Sequence, residues 1–379
     1  MGKSERIAVT APAYCPRLDG LRAVAIGCVM IEHLVPVPAI HRLGLGFAGV
    51  DLFFVLSGFL ITRILIDLRD SQASVAAAAT YFFWRRILRL VPALYAAILI
   101  VVALGGMRDN WWIHALYLSN FQVAIEGRWN DASHFWTLSV EEQFYLLWFA
   151  IVMLLPKRLL LPASIAFLVV ANLFRAGLWL SGASFYLVVL LPGVCDGLAA
   201  GSIVAIVLQD DRASVLRDLL RSRLAFVICT LGVAGMLIVP FTRAPELAPM
   251  FWIWMTFFAA IVVAEAAGAA PHPALDWLKA RPLRHIGKIS YGIYIWHYFV
   301  GQAIPRLDPI PFAAHSIGGK IAVVGGAFAA SVLVAQLSWL AIEQPILRLK
   351  KRSESLLGAA HDAASPALAL SGTLRSSGA

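Results

Sequence analysis

The stretch from Leu18 to Leu34 reads LDGLRAVAIGCVMIEHL; it is apolar enough to enter lipid, yet it carries Arg22, Glu32 and His33. Ionisable side chains in a spanning helix are costly, so they face a protein interior or a watery cavity and need partners there. Arg22 and His33 lie 11 residues apart, close to three helical turns, which puts them on one face with about 16 Å between them. This reading sets Arg22 at the cytoplasmic rim and His33 near the membrane midplane. The plainer alternatives are a rim anchor for Arg22 and a helix-packing hydrogen bond for His33. Glu32 points about 100° away from His33 and so reads as a partner for another polar group.

The rest of the chain makes the same demand for a membrane. Of 379 residues, 60% are hydrophobic and 14% charged, and the mean hydropathy is +0.78, whereas a soluble domain carries about 25% charge. Apolar density places about ten spans, at 23–40, 47–66, 87–105, 140–155, 159–179, 184–207, 224–240, 250–270, 286–304 and 317–341. With the N-terminus inside, all but seven of the 31 Lys and Arg fall in cytoplasmic segments, as the positive-inside rule requires. The expected fold is therefore all-α and polytopic, with both termini cytoplasmic. Its net charge of +9 reflects topology and attraction to anionic lipid, and gives no argument for nucleic acid.

Cys15, Cys28, Cys195 and Cys229 lack any paired spacing, so neither a zinc site nor a disulfide framework is indicated. No cleavage site follows the first apolar run, and Arg6 occupies the position where a myristoylation signal wants Ser or Thr. The expected organisation is a cytoplasmic segment over 1–16, a transmembrane domain over 17–346, and a basic, then disordered, cytoplasmic tail over 347–379.

Further along, YFFWRRILRLVP carries Arg85, Arg86 and Arg89 on the cytoplasmic side of the third span. Guanidinium forks bind phosphate in two-pronged fashion, which suits a phosphorylated cosubstrate; headgroup anchoring accounts for them equally well. Between spans three and four an external stretch, 106–138, holds Trp111, Trp112, Trp129 and Trp136. These rings serve either as an interfacial belt or as stacking surfaces for sugars. It leads into WTLSVEEQFYL, where Glu141, Glu142 and Tyr145 are candidates for contact with a hydroxylated acceptor; a solvated helix start is the alternative for the two glutamates. Trp296 and His297 lie in ISYGIYIWHYFV beside Tyr294 and Tyr298, as a packing network or as substrate contacts. Asp51 and Asp196 are further intramembrane carboxylates without an evident partner.

In order, these elements are RLDGLRAVAIGCVMIEH, DLFFVLSGFLIT with Ser57, FFWRRILRLVP, WTLSVEEQFYL, ISYGIYIWH and a closing IEQP at Glu343. Taken together, the chain resembles the acyltransferase family 3 of integral membrane O-acyltransferases, the group of polysaccharide O-acetylases and macrolide acylases. Glu32 and Gln344 depart from the family pattern. The resemblance implies transfer of an acyl group, often acetyl, from cytoplasmic acyl-CoA to an acceptor hydroxyl, with acyl-CoA a cosubstrate and no permanently bound cofactor or metal. His33 would be the general base, because imidazole titrates near neutral pH, or would form an acyl-histidine. Arg22 would orient the thioester, and Arg85, Arg86, Arg89 and Ser57 would hold the donor. Glu141, Glu142, Trp136, Tyr145, Trp296 and His297 would meet the acceptor, a cell-envelope glycan or alternatively a small antibiotic or lipid, in the inner membrane. A different class, a proton-coupled transporter or flippase using His33, Asp51 and Asp196 as a relay, also fits intramembrane charges, although the repeated halves common in such proteins are not visible.

Overall fold

A computed structural model describes residues 14–71, 74–210, 213–238, 248–268, 273–307, 312–314 and 316–348. The described residues are helical and contain no strand. In chain order the helices are α1 (Pro16–Leu34), α2 (Pro38–His41), α3 (Leu45–Asp70), α4 (Val75–Ala103), α5 (Trp111–Ala115), α6 (Ser119–Glu126), α7 (Trp136–Leu154), α8 (Leu160–Ser181), α9 (Leu191–Gln209), α10 (Ser214–Leu220), α11 (Arg223–Ile238), α12 (Ala248–Ala267), α13 (Arg281–Lys288), α14 (Ser290–Leu307) and α15 (Ile317–Ser338). Among the described residues, six helices are long and apolar enough to cross a membrane: α3, α4, α7, α8, α9 and α15 with its extension to Arg348. Helices α1, α11, α12 and α14 occupy the other four expected positions. The N-terminal segment before Tyr14 and the tail beyond Arg348 lie outside the described residues.

Several boundaries differ from the apolar-density reading, by up to twelve residues, and two of them have a clear physical cause. The first helix stops at Leu34 rather than near residue 40, because Val35 precedes Pro36 and takes an extended backbone, as a residue before proline must. The third begins at Val75, twelve residues ahead of the expected start. Arg86 and Arg89 do not end the apolar helix, because carboxylates of neighbouring helices face them.

Helices α3 and α9 form the centre. A Cβ at Gly58 would strike the Leu198 carbonyl, and one at Gly201 would strike that of Val55, so only glycine lets the two backbones approach this closely. Thr62 Oγ1 donates to Ser202 Oγ at 2.8 Å, and Trp148 Nε1 donates to the same threonine at 2.8 Å. Those two bonds join α3, α7 and α9 without leaving a polar atom in apolar surroundings. Outer helices show the reverse character: Leu99 on α4, Leu173 on α8 and Leu333 on α15 are exposed, as lipid-facing residues are. Helix α1 seats on α3, where a Cβ at Gly49 would meet the Ala25 carbonyl at 2.5 Å, and α14 packs on it as well.

Candidate active site

His33 is the penultimate residue of α1, so it stands at the opposite end of the helix from Arg22. The residue is exposed on one side and bounded on the other by α14, with the His297 ring centroid at 5.1 Å and that of Tyr298 at 5.5 Å. The neighbours assign its tautomer. His297 Nδ1 lies 2.8 Å from the Tyr294 carbonyl and 3.1 Å from that of Ile293, so Nδ1 carries the proton and Nε2 the lone pair. That lone pair faces His33 Nδ1 at 3.3 Å, and the Val29 carbonyl faces the same atom at 2.9 Å. His33 Nδ1 is therefore the protonated nitrogen, shared between two acceptors. Its Nε2 is left as a basic lone pair with no hydrogen-bond partner among the described residues, the arrangement a general base needs.

A third histidine, His134, completes the cluster. It precedes α7, stacks on Tyr298 at 4.9 Å, and donates from Nε2 to the Ile295 carbonyl at 3.1 Å. Its carbonyl accepts the Tyr294 hydroxyl at 2.5 Å, and that hydroxyl also meets Thr137 Oγ1 at 2.6 Å. Among the described residues no three His, Cys, Asp or Glu side chains are arranged to hold a metal.

From Thr137 the polar path continues along one face of α7, because Thr137, Glu141 and Tyr145 recur at four-residue spacing. Ser57 of α3 hydrogen-bonds the Tyr145 hydroxyl, and Glu141 stands beside both. Arg86 crosses from α4, placing its guanidinium 3.6 Å from the Tyr145 ring centroid and donating to Glu142 at 3.3 Å. Next along the bundle, Arg89 is within electrostatic reach of Arg86, Arg22, Glu343 and Asp19, and Arg22 pairs with Asp19 at 3.1 Å. A π-helical turn, Trp339–Glu343, swings the buried Glu343 carboxyl toward Arg89; such turns break the α-helical register and are common at functional sites.

The structure thus gathers Arg22, Ser57, Arg86, Arg89, Glu141, Glu142, Tyr145, His297 and His33 along one polar path. Arg86 and Glu142, expected on opposite sides of the membrane, form an ion pair. Both belong to long helices, Arg86 eleven residues into α4 and Glu142 six into α7, and the half-buried guanidinium and carboxylate meet where those helices pass each other. Three expected residues stand apart. Trp136 is buried edge-on against Phe54, its ring centroid at 6.0 Å, Trp296 packs by Phe299, and Arg85 lies over the Tyr81 ring at 4.9 Å.

Asp51 and Asp196 do not join His33. Asp196 takes a two-pronged bond from the buried Arg175, at 2.9 and 2.5 Å, and Thr256 donates to Asp51 at 3.2 Å. This cluster ties α3, α8, α9 and α12, so no relay of His33 with the two aspartates is built. Glu32 also finds partners: it faces His41 Nδ1 at 3.1 Å and accepts from the Gly46 amide at 3.3 Å, fastening the end of α1 to α2 and the start of α3. His134 and Thr137 are the site residues that sequence reasoning passed over, and Glu343, named there as closing the IEQP element, was given no role. Thr137 lies inside WTLSVEEQFYL and His134 two residues ahead of it, so a histidine just before a helix, followed three residues later by a hydroxyl, was the available signal.

A membrane bundle built around an accessible histidine and arginine–carboxylate pairs now has its class from comparison. The pattern of an acyltransferase domain matches residues 16–340, and the chain belongs to that acyltransferase family 3, a family of acyl-transferring enzymes. It is similar to the peptidoglycan O-acetyltransferase OatA of Listeria monocytogenes serovar 1/2a, at 30% identity over 88% of this chain and 56% of that protein. The putative peptidoglycan O-acetyltransferase YrhL of Bacillus subtilis strain 168 is 31% identical over 88% of this chain and 55% of its own length. The O-acetyltransferase OatA of Staphylococcus aureus strain NCTC 8325 is 29% identical over 89% and 58% respectively. The chain therefore spans a little over half the length of these curated relatives. No solved structure matches it.

Proposed function

We propose that the chain is a ten-span inner-membrane O-acyltransferase, with both termini cytoplasmic, that moves an acetyl group from cytoplasmic acetyl-CoA to a hydroxyl of a cell-wall glycan. The observation that carries this reading is the accessible, singly protonated His33, joined by one polar path to the arginines at the other end of α1. His33 Nε2 removes the proton from the acceptor hydroxyl as its oxygen attacks the thioester carbonyl. The new C–O bond forms, the C–S bond breaks, and the departing thiolate takes the proton from the imidazolium to give free CoA thiol. General-base assistance of this kind is worth typically ~10² to 10⁴ in rate.

Arg22 and Arg89 supply positive charge where the donor enters, and about 16 Å along α1 separates Arg22 from His33, a gap an extended pantetheine arm can bridge. The names of the relatives support a glycan acceptor over a small antibiotic or a lipid. The test is turnover of acetyl-labelled CoA by the protein in nanodiscs with a peptidoglycan fragment. Labelled ester on the glycan, with CoA released in equal amount, supports the reading. Uptake of solute without CoA release would replace it with transport.

A further inference from the structure

At the Arg22 end of the bundle, α13 reads RPLRHIGK and lays Arg281, Arg284, His285 and Lys288 along the wall of an open recess of about 520 Å³, bordered on its other side by Tyr14 and Asp19. A recess of that size falls in the ~300 to 1,000 Å³ range of small-molecule sites. Its charge is unbalanced. Asp19 is the single acid among the lining residues, and both its oxygens are already engaged, Oδ1 by Arg22 at 3.1 Å and Oδ2 by the Tyr14 hydroxyl at 2.7 Å. Arg284 donates to the Tyr14 oxygen at 3.3 Å, His285 Nε2 meets Gln336 Oε1 at 2.9 Å, and Lys288 lies over the Trp339 ring at 5.0 Å. No carboxylate among the described residues pairs with Arg281, Arg284 or Lys288. The walls are also fixed: a Cβ at Gly287 would strike the Asp19 carbonyl, so α13 lies directly against α1.

We infer that this recess binds a polyphosphorylated anion, and that in turnover this anion is the phosphorylated adenosine end of the donor. The second clause rests on the acyl-CoA reading above. Three permanent cations held on a short rigid helix satisfy several phosphate oxygens at once, and Tyr14 offers an aromatic face beside them. Through Asp19 the recess adjoins Arg22, so a donor anchored here directs its thioester arm toward Arg22 and onward along α1. The same cations would attract an anionic lipid headgroup, and the experiment separates the two sources.

The full chain, in nanodiscs of phosphatidylcholine alone, is titrated with adenosine 3′,5′-bisphosphate by calorimetry, and the titration is repeated in nanodiscs containing phosphatidylglycerol. Arg281→Glu, Lys288→Glu and the charge-keeping Arg281→Lys are compared with wild type, each accepted only if monodisperse with an unaltered melting midpoint. The expected result is saturable binding in phosphatidylcholine that weakens at least ~10-fold per charge reversal, the size of one lost charge-assisted bond, and largely persists in Arg281→Lys. Failure of the wild-type protein to bind, or equal affinity in the reversed variants, overturns the inference. So does binding of anionic lipid alone, with no bisphosphate site. Acetyl-CoA turnover by wild type is measured in parallel; its absence would count against the donor reading, whereas bisphosphate binding reports on the recess by itself.

Discussion

His297 Nε2 stands 3.3 Å from His33 Nδ1, and the carbonyls behind His297 fix which of its nitrogens is basic. One histidine thereby sets the tautomer and the orientation of another across the contact between α1 and α14. His297 is a positioning residue in this account. His297→Ala should lower kcat by ~10- to 100-fold, the scale of a misplaced catalytic group, with KM for both substrates little changed. His297→Gln, whose amide oxygen can replace the Nε2 acceptor, should recover part of the loss. Equal activity in wild type and His297→Ala would remove it from the site.

Arg86 and Glu142 form a different kind of pair, an ion pair half-buried between α4 and α7. Breaking a fully buried pair from one side costs about 3 to 5 kcal/mol, and a half-buried one costs a fraction of that. Arg86→Ala should therefore lower the melting midpoint in detergent. The double replacement Arg86→Met with Glu142→Leu should melt above Arg86→Ala while staying inactive if Arg86 serves the donor path. Melting curves alongside acetyl transfer check both halves.

Close packing of α3 on α9 makes Gly58 and Gly201 sensitive to any added side chain. A Cβ at Gly58 meets backbone, the Leu198 carbonyl, and backbone cannot rotate away. Gly58→Val should cost more than the 1 to 3 kcal/mol typical of overpacking. It should appear as loss of folded protein on size exclusion, whereas Gly177→Val, at an open position, should leave the protein intact.

His114 supplies a pH dependence outside the spans. Burial pushes its pKa down to about 4, with Nδ1 facing Ser119 Oγ at 2.9 Å. An unfolded histidine titrates near 6.5, so between these values the unfolded chain binds the extra proton. The folded state is then fully favoured above about pH 6.5 and loses up to ~3 kcal/mol as pH falls toward 4. The gap in melting midpoint between wild type and His114→Asn should narrow or reverse over that interval; a constant gap would contradict it.

The helical membrane fold was legible because apolar density records it directly. Helix positions came out of the same signal, while the ends of α1 and α4 did not. Proline sterics closed α1 early, and arginines that looked like the edge of a span turned out to be partners of Glu142 and Glu343. The face shared by Arg22 and His33 followed from helix geometry alone. Convergence of Arg86 with Glu142, and of His134 with His297, depends on which helices lie beside each other, and no local pattern encodes that. Trp136 and Trp296 failed as site residues for a related reason: aromatic character near a motif does not tell an interior packing ring from a stacking surface.

Acetyl transfer by His33→Ala in nanodiscs, set against wild type at saturating acetyl-CoA and glycan, tests the role of the imidazole most directly. Transfer should fall by ~10² to 10⁴ while bisphosphate binding and the melting midpoint remain those of wild type. Near-wild-type transfer by a folded His33→Ala protein would show that another group accepts the proton.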